Sequence, residues 1–210
     1  MPCTRTGIPH CSIPAGDGTV SDQGQLIMNP QVRKSYESDK QAISDVAIAA
    51  FGQGQGPEIA DLIADLLKDP SALPLLSLVA TVDEYVVGHI LFTSAKIEHS
   101  QRMVSSAILA PLSVRPEYQG QGIGGQLIEE GLKQLKAAGV ELVFVLGHPD
   151  YYPRHGFSPA GIKGFDAPYT ILPEHSDAWM VQDLSPGIIG HVRGQVICAD
   201  ALNDPKHWQE

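Results

Sequence analysis

The chain has 210 residues, 43% hydrophobic and 18% charged, with a formal net charge of -10. That is enough chain for one well-buried globular domain with an appendage, and the acidity disfavours non-specific nucleic-acid binding, which depends on neutralising phosphates. There is no apolar run of membrane-spanning length and no basic-then-apolar leader. Cys3, Cys11 and Cys198 and the eight histidines show no metal-ligand spacing, so the expectation is a cytoplasmic protein with free thiols, no membrane partner and no metal.

Residues 1–29 are rich in Gly, Pro, Ser and Thr and carry neither helical nor strand periodicity, so they are expected to form a disordered extension outside the core. Met28 stands immediately before the first patterned segment, which places the functional start of the chain near it. A short alternating stretch from Val32 to Tyr36 reads as a strand. The helix after it is capped by Ser38 or Asp39 and turns Ile43, Val46, Ala47, Ala50 and Phe51 inward. The run from Gly52 to Pro57 should end that helix. Glu58 to Leu67 then forms a second one, with Ile59, Leu62, Ile63, Leu66 and Leu67 inward.

Leu75 to Val82 and Tyr85 to Thr93 are β-rich runs joined at Asp83-Glu84, an antiparallel hairpin. A third run, Ser105 to Val114, contains Pro111, which cannot donate to a ladder and is expected at an edge or a bulge. Next comes Gln119-Gly120-Gln121-Gly122-Ile123-Gly124-Gly125. It opens a helix whose apolar positions are Ile123, Leu127, Ile128, Leu132, Leu135 and Ala138, stopped by Gly139. Unobstructed backbone N–H groups and the positive end of a helix dipole make such a loop a phosphate seat.

Two common phosphate motifs do not fit. Gly120-x-Gly122-x-x-Gly125 matches the dinucleotide fingerprint literally. However, residues 115–119 separate the strand from the first glycine, and Glu141, the acidic residue about 20 positions on, begins its strand instead of ending it. The nucleotide-triphosphate loop needs Lys-Ser/Thr after its glycines and has none here. After the helix, Leu142 to Leu146 is a continuous apolar strand of the kind covered on both faces, completing a strand–helix–parallel strand unit with a right-handed crossover. Tyr151 to His155 is a short helical segment closed by Gly156, and Trp179 to Leu184 is a late strand.

The residues from Val114 to Gly124 resemble the coenzyme A signature of GNAT-type N-acetyltransferases, Val-x-Pro-x-x-Gln-x-x-Gly-x-Gly. Val114, Pro116, Gln119, Gly122 and Gly124 fill every fixed position. Tyr152 to Phe157 is similar to the family's Tyr-x-x-x-Gly-Phe element, and the likeness extends from about Val32 to Ile171, in the manner of the bacterial members of the family. The resemblance implies an α/β (α+β) GNAT fold: a mixed central sheet with antiparallel N-terminal strands, splayed central parallel strands and flanking helices. It divides the chain into an extension 1–29, a GNAT domain 30–185 and a C-terminal extension 186–210 of unassigned role.

The same resemblance implies acetyl-CoA as co-substrate, and a primary amine of a small molecule or protein as acceptor. Gln119, Gly120, Gln121, Gly122, Ile123, Gly124 and Gly125 would hold the pyrophosphate by their amides, and Leu112, Ser113 and Val114 would present backbone groups to the pantetheine. Tyr152 would touch the cofactor and protonate the departing thiolate. Pro111 marks the expected bulge, and the glycine-rich stretch 52–57 implies a mobile acceptor wall. Many relatives carry a carboxylate base on the bulged strand, and Ser105 to Val114 has none. Glu98, His99 and His148 are the candidates, with His148 favoured by its place beside Tyr152.

Two other readings remain: a non-catalytic acyl-CoA-binding regulatory module of the same fold, and a nicotinamide-dependent oxidoreductase. The second is disfavoured by the hairpin at 75–93. A homodimer through the segment after Trp179 is a candidate assembly. Deletion of residues 1–27 is expected to leave the thermal unfolding midpoint and acetyl-CoA binding unchanged; a collapse of either, measured by calorimetry on the truncated chain, would give those residues a place in the fold.

Overall fold

The structure is a computed structural model that describes residues 30–98, 100 and 102–208. The expectations for residues 1–29 and for His99 fall outside the described residues. In chain order the strands and α-helices are β1 (Gln31–Lys34), α1 (Lys40–Leu66), β2 (Leu76–Val82), β3 (Tyr85–Ile97), β4 (Ser106–Val114), α2 (Ile123–Ala137), β5 (Leu142–Leu146), β6 (Ser158–Pro159), β7 (Phe165–Asp166), β8 (Trp179–Asp183) and β9 (Gly194–Ile197). The sheet runs β1-β2-β3-β4-β5-β8-β6, with β9 pairing both β3 and β7. The β4–β5 pair is parallel, and the pairs among β1 to β4 are antiparallel. This is the mixed sheet flanked by helices that the sequence implied.

The hairpin closes at Asp83 and Glu84, both with positive φ (48° and 65°). That combination is the two-residue turn whose twist matches its flanking strands. Alternation along β3 then feeds two cores. Val87, Ile90 and Phe92 lie with Ile123, Leu127, Ile128 and Leu132 in one cluster, against α2. On the other face, Leu91 and Ala95 lie with Leu62 and Leu66 of α1 and with Phe144 and Trp179. The N-terminal half of α1 covers the start of the sheet with Ile43, Val46 and Ala47 against Val79 and Val86.

One polar row is buried on the α1 side. His89 is fully enclosed and shares a 3.0 Å hydrogen bond with Ser77, which accepts from Ser35 at 2.7 Å. Burial drives the His89 imidazole down to about 3, so it stays neutral.

The expected break between the first two helices is much smaller than the glycine content suggests. Only Gly52 leaves helical geometry (φ 73°, ψ 177°), and the chain re-enters the helix through Gly54, Gly56 and Pro57. Phe51 accordingly ends up 36% exposed instead of inward. The stretch stays largely helical because its two halves pack against each other: a Cβ on Gly56 would sit 2.6 Å from Ile48 Cα and 2.8 Å from Ile48 O. Glycine at 56 therefore sets the close approach that folds the second half of α1 back over the sheet.

The segment after β8 also packs inward. Val196, Leu202 and Trp208 are buried in the cluster that holds Leu62, Leu66 and Trp179. The Trp208 indole N–H donates to the Leu202 carbonyl at 2.8 Å, and its ring meets Trp179 edge-on at 5.7 Å. Two further bonds tie this tail to the turn after α1. The Asp200 amide donates to Ser71 Oγ at 2.8 Å, and the Ala201 amide donates to the Asp69 carboxylate at 2.9 Å.

Gly56→Ala separates the two candidate causes of this kink. Helix propensity alone would stabilise the variant by about 1 kcal/mol, whereas the contact with the Ile48 backbone should destabilise it by about 1–3 kcal/mol. Urea unfolding is expected to show the loss; a gain would mean the two halves do not need their close approach.

Candidate active site

The site begins where β4 parts from β5. Their parallel ladder runs from Ser106↔Leu142 to Leu109↔Val145 and stops. On its other edge β4 stays with β3, but the register slips: Ile90 faces Leu112 while Phe92 faces Leu109, so Ala110 and Pro111 together oppose Leu91. This is a β-bulge at the expected proline, and it turns the rest of β4 away from β5. Past Leu109, the edge of β4 toward β5 no longer has a ladder partner there, and a gap opens between the strand ends.

Two clefts enter that gap. The first lies between the end of β4, the loop from Tyr118 to Gly122, the start of α2 and the segment His148 to Arg154. Leu112, Val114, Gln119, Gly120, Gly122, Ile123, Gly124, His148 and Tyr152 all line it, so most of the residues singled out from the sequence converge here. Ser113, Gln121 and Gly125 do not line it. The Ser113 side chain is 2% exposed on the α1 face of the sheet, opposite Leu112. Gln121 turns back, donating from Nε2 to the Glu117 carbonyl at 3.1 Å, and Gly125 sits against the His155 ring.

The loop is braced from within. The Gln119 side chain donates to the Val114 carbonyl at 2.9 Å, closing the turn around Pro116. Gly122 caps α2 in the left-handed region (φ 81°), a conformation that a Cβ would strain. The first intrahelical bond of α2 runs from the Gln126 amide to the Gly122 carbonyl. Helix geometry leaves the amides of Ile123, Gly124 and Gly125 without intrahelical acceptors, at the positive end of the dipole. Gly124 also makes room for Tyr151, whose hydroxyl lies 2.5 Å from where a Cβ would stand. Arg154, which the sequence reading did not single out, adds a cation to the same wall.

Tyr152 is buried at 8% exposure. Its ring packs edge-on to Tyr151 at 5.3 Å and to Phe157 at 5.7 Å. Gly156 (φ 89°) closes the short turn that carries it. Burial raises the neighbouring Tyr151 phenol above its usual range, an effect opposed by the Arg154 charge.

The second cleft is lined by Phe51, Gln55, Glu58, Ile59 and Leu62 of α1, by Leu109 to Leu112 of β4, by Leu146, Gly147, His148 and Tyr152, and by Leu202, Lys206 and His207 of the tail. It shares Leu112, His148 and Tyr152 with the first cleft, so the two meet at that trio. His148 is exposed there. Burial, and to a lesser degree Lys206, lower the His207 imidazole. Glu98 lines neither cleft. It follows the last residue of β3, seven positions from the residue opposite the bulge, or about 23 Å at the usual rise per residue. A separate hollow lined by Phe165, Tyr169, Trp179 and Gln195 shares no residue with either cleft.

Known proteins resemble this chain in sequence and fold. Residues 75–159 match a family model described as an acetyltransferase (GNAT) domain. The chain is 49% identical over 168 residues to the uncharacterized N-acetyltransferase YjhQ of Escherichia coli (strain K12), covering 78% of this chain and 89% of that protein. The crystal structure of the GNAT family N-acetyltransferase YhbS from Escherichia coli in complex with CoA aligns with a TM-score of 0.75 at 28% identity, covering 87% of this chain and 97% of that one. A GNAT family acetyltransferase from Brucella melitensis in complex with acetyl-CoA aligns with a TM-score of 0.65 at 29% identity, covering 83% and 99%. The chain belongs to the GNAT family of N-acetyltransferases.

Proposed function

We propose that this chain binds acetyl-CoA in the first cleft and an amine in the second, and transfers the acetyl group by direct attack in a ternary complex. The observation that carries the reading is the meeting of the two clefts at Leu112, His148 and Tyr152, beside the point where β4 leaves β5. YhbS and the Brucella protein have complexes with CoA and acetyl-CoA, which supports the same ligand here. The catalytic unit on this reading is the domain 30–185, with the tail 186–210 adding a wall to the acceptor cleft.

In the proposed complex the pyrophosphate lies on the amides from Gln119 to Gly125, with Arg154 as counter-charge, and the pantetheine follows the backbone of Leu112, Ser113 and Val114. The amine nitrogen attacks the thioester carbonyl carbon. A C–N bond forms and the carbonyl oxygen becomes an oxyanion, held by a backbone amide of β4 beyond the bulge. The C–S bond then breaks with its electron pair on sulfur. Tyr152 gives its phenolic proton to the thiolate, and His148, directly or through water, takes the proton that the amine nitrogen sheds. Holding both reactants at one junction supplies the proximity contribution, about 7–11 kcal/mol in well-oriented cases.

Two substitutions test the assignment. Tyr152→Phe is expected to lower kcat by about 10²-fold while the acetyl-CoA Kd from isothermal titration stays near that of the parent chain. Unchanged turnover would remove Tyr152 from the proton path. Gly124→Val should drive the Tyr151 hydroxyl out of its position and weaken acetyl-CoA binding by about tenfold or more; normal titration by a folded Gly124→Val chain would move the phosphate site elsewhere.

A further inference from the structure

The second cleft has a chemical character of its own along its length. Much of its wall is apolar side chain from three elements: Phe51, Ile59 and Leu62 from α1, Leu109 and Leu146 from the strand ends, and Leu202 from the tail. One polar side chain, Gln55, interrupts that wall between Phe51 and Ile59, and the other polar side chains fall into two groups. His148 and Tyr152 stand at the inner end, shared with the first cleft, and Glu58, Lys206 and His207 stand at the outer mouth. Glu58 is the one carboxylate among the lining residues, and Lys206 already holds it at 3.3 Å. A second positive charge held against the apolar walls would lose its water there with no carboxylate beside it, an unfavourable exchange.

We propose that the acceptor is a small primary amine carried on an apolar body, aliphatic or aromatic. The body lies between the second half of α1 and the tail, and the nitrogen stands at His148 and Tyr152. This rests on the assignment of the first cleft to acetyl-CoA. The C–N bond made and the C–S bond broken are those already described, and the apolar walls add selection and desolvation. Beyond the mouth, Asp61, Asp65, Asp200 and Asp204 line an acidic groove. A polycation reaching into that groove from the cleft is the competing acceptor.

The test is thiol release from acetyl-CoA with 2-phenylethylamine, n-hexylamine, spermidine, glucosamine and a lysine-bearing peptide, run beside isothermal titration of acetyl-CoA. The two apolar amines are expected to show kcat/KM at least about tenfold above the others, the scale on which a hydrophobic pocket discriminates. Phe51, 36% exposed, can be truncated without opening the core. Phe51→Ala should lower kcat/KM for the apolar amines by about tenfold with acetyl-CoA Kd held. Asp61→Asn, outside this cleft, should change neither.

Preference for spermidine, glucosamine or the peptide would overturn the inference while leaving the acetyl-CoA assignment in place. So would a loss of transfer in Asp61→Asn, or acetyl-CoA binding with no transfer to either apolar amine. Absence of acetyl-CoA binding would overturn the assignment itself.

Discussion

The structure depends on one act of strand separation. Between Leu109 and Val145 the parallel ladder ends, and the slip at Ala110 and Pro111 turns β4 aside while β3 continues to hold it through Leu112, Ser113 and Val114. In a continuous sheet the middle is filled with ladder hydrogen bonds and interlocked side chains, so no ligand can reach it. Here the gap is framed by rigid elements on all sides: α2 from one face, α1 from the other, and the Tyr152 turn across the end. Both clefts are consequences of that gap, and their shared trio lies at it. Proline suits the position because it cannot supply an N–H to a ladder that is being abandoned.

Much of this could be read from local pattern. The Asp83-Glu84 turn, the bulge proline, the glycine-opened helix and the turn closed by Gly156 are each decided by a few adjacent residues, and each stands where the pattern put it. What local pattern misjudged was contact between distant residues. Glycines at 52, 54 and 56 with Pro57 read as an open connection, because intrinsic propensity disfavours helix there. The close packing of Gly56 on the Ile48 backbone outweighs that preference and leaves Gly52 alone outside helical geometry.

The tail was illegible for the same reason. β9 has four residues, and the turns after it have no periodicity; what fixes them is Trp208 against Trp179 and the bonds from Asp200 and Ala201 back to Ser71 and Asp69, 129 and 132 positions earlier in the chain. Leu202, Lys206 and His207 therefore reach the second cleft with no advance sign in the sequence. Arg154 was nearer to legible, since it lies inside the Tyr152 to Phe157 element, but only the three-dimensional turn directs it to the first cleft.

The absence of a carboxylate from β4 raises the question of how the acceptor loses its proton, and the apolar walls of the second cleft bear on it. An alkylammonium with the ordinary lysine-like pKa of about 10.4 is neutral in only about one molecule in 2,500 at pH 7. Desolvation disfavours the charged form, and a downward shift of about 3 units, within the range found for buried amines, would bring the neutral fraction to roughly a quarter. On the proposed reading, the walls thus do by burial much of what a strong base would do by proton affinity. His148 then needs only to receive the proton released as the C–N bond forms, a task for which an exposed imidazole open to water is suited. A polyamine would forfeit part of this benefit, because its remaining charges would keep water in the cleft. Selection for an apolar body and activation of the nitrogen are in this way one physical effect.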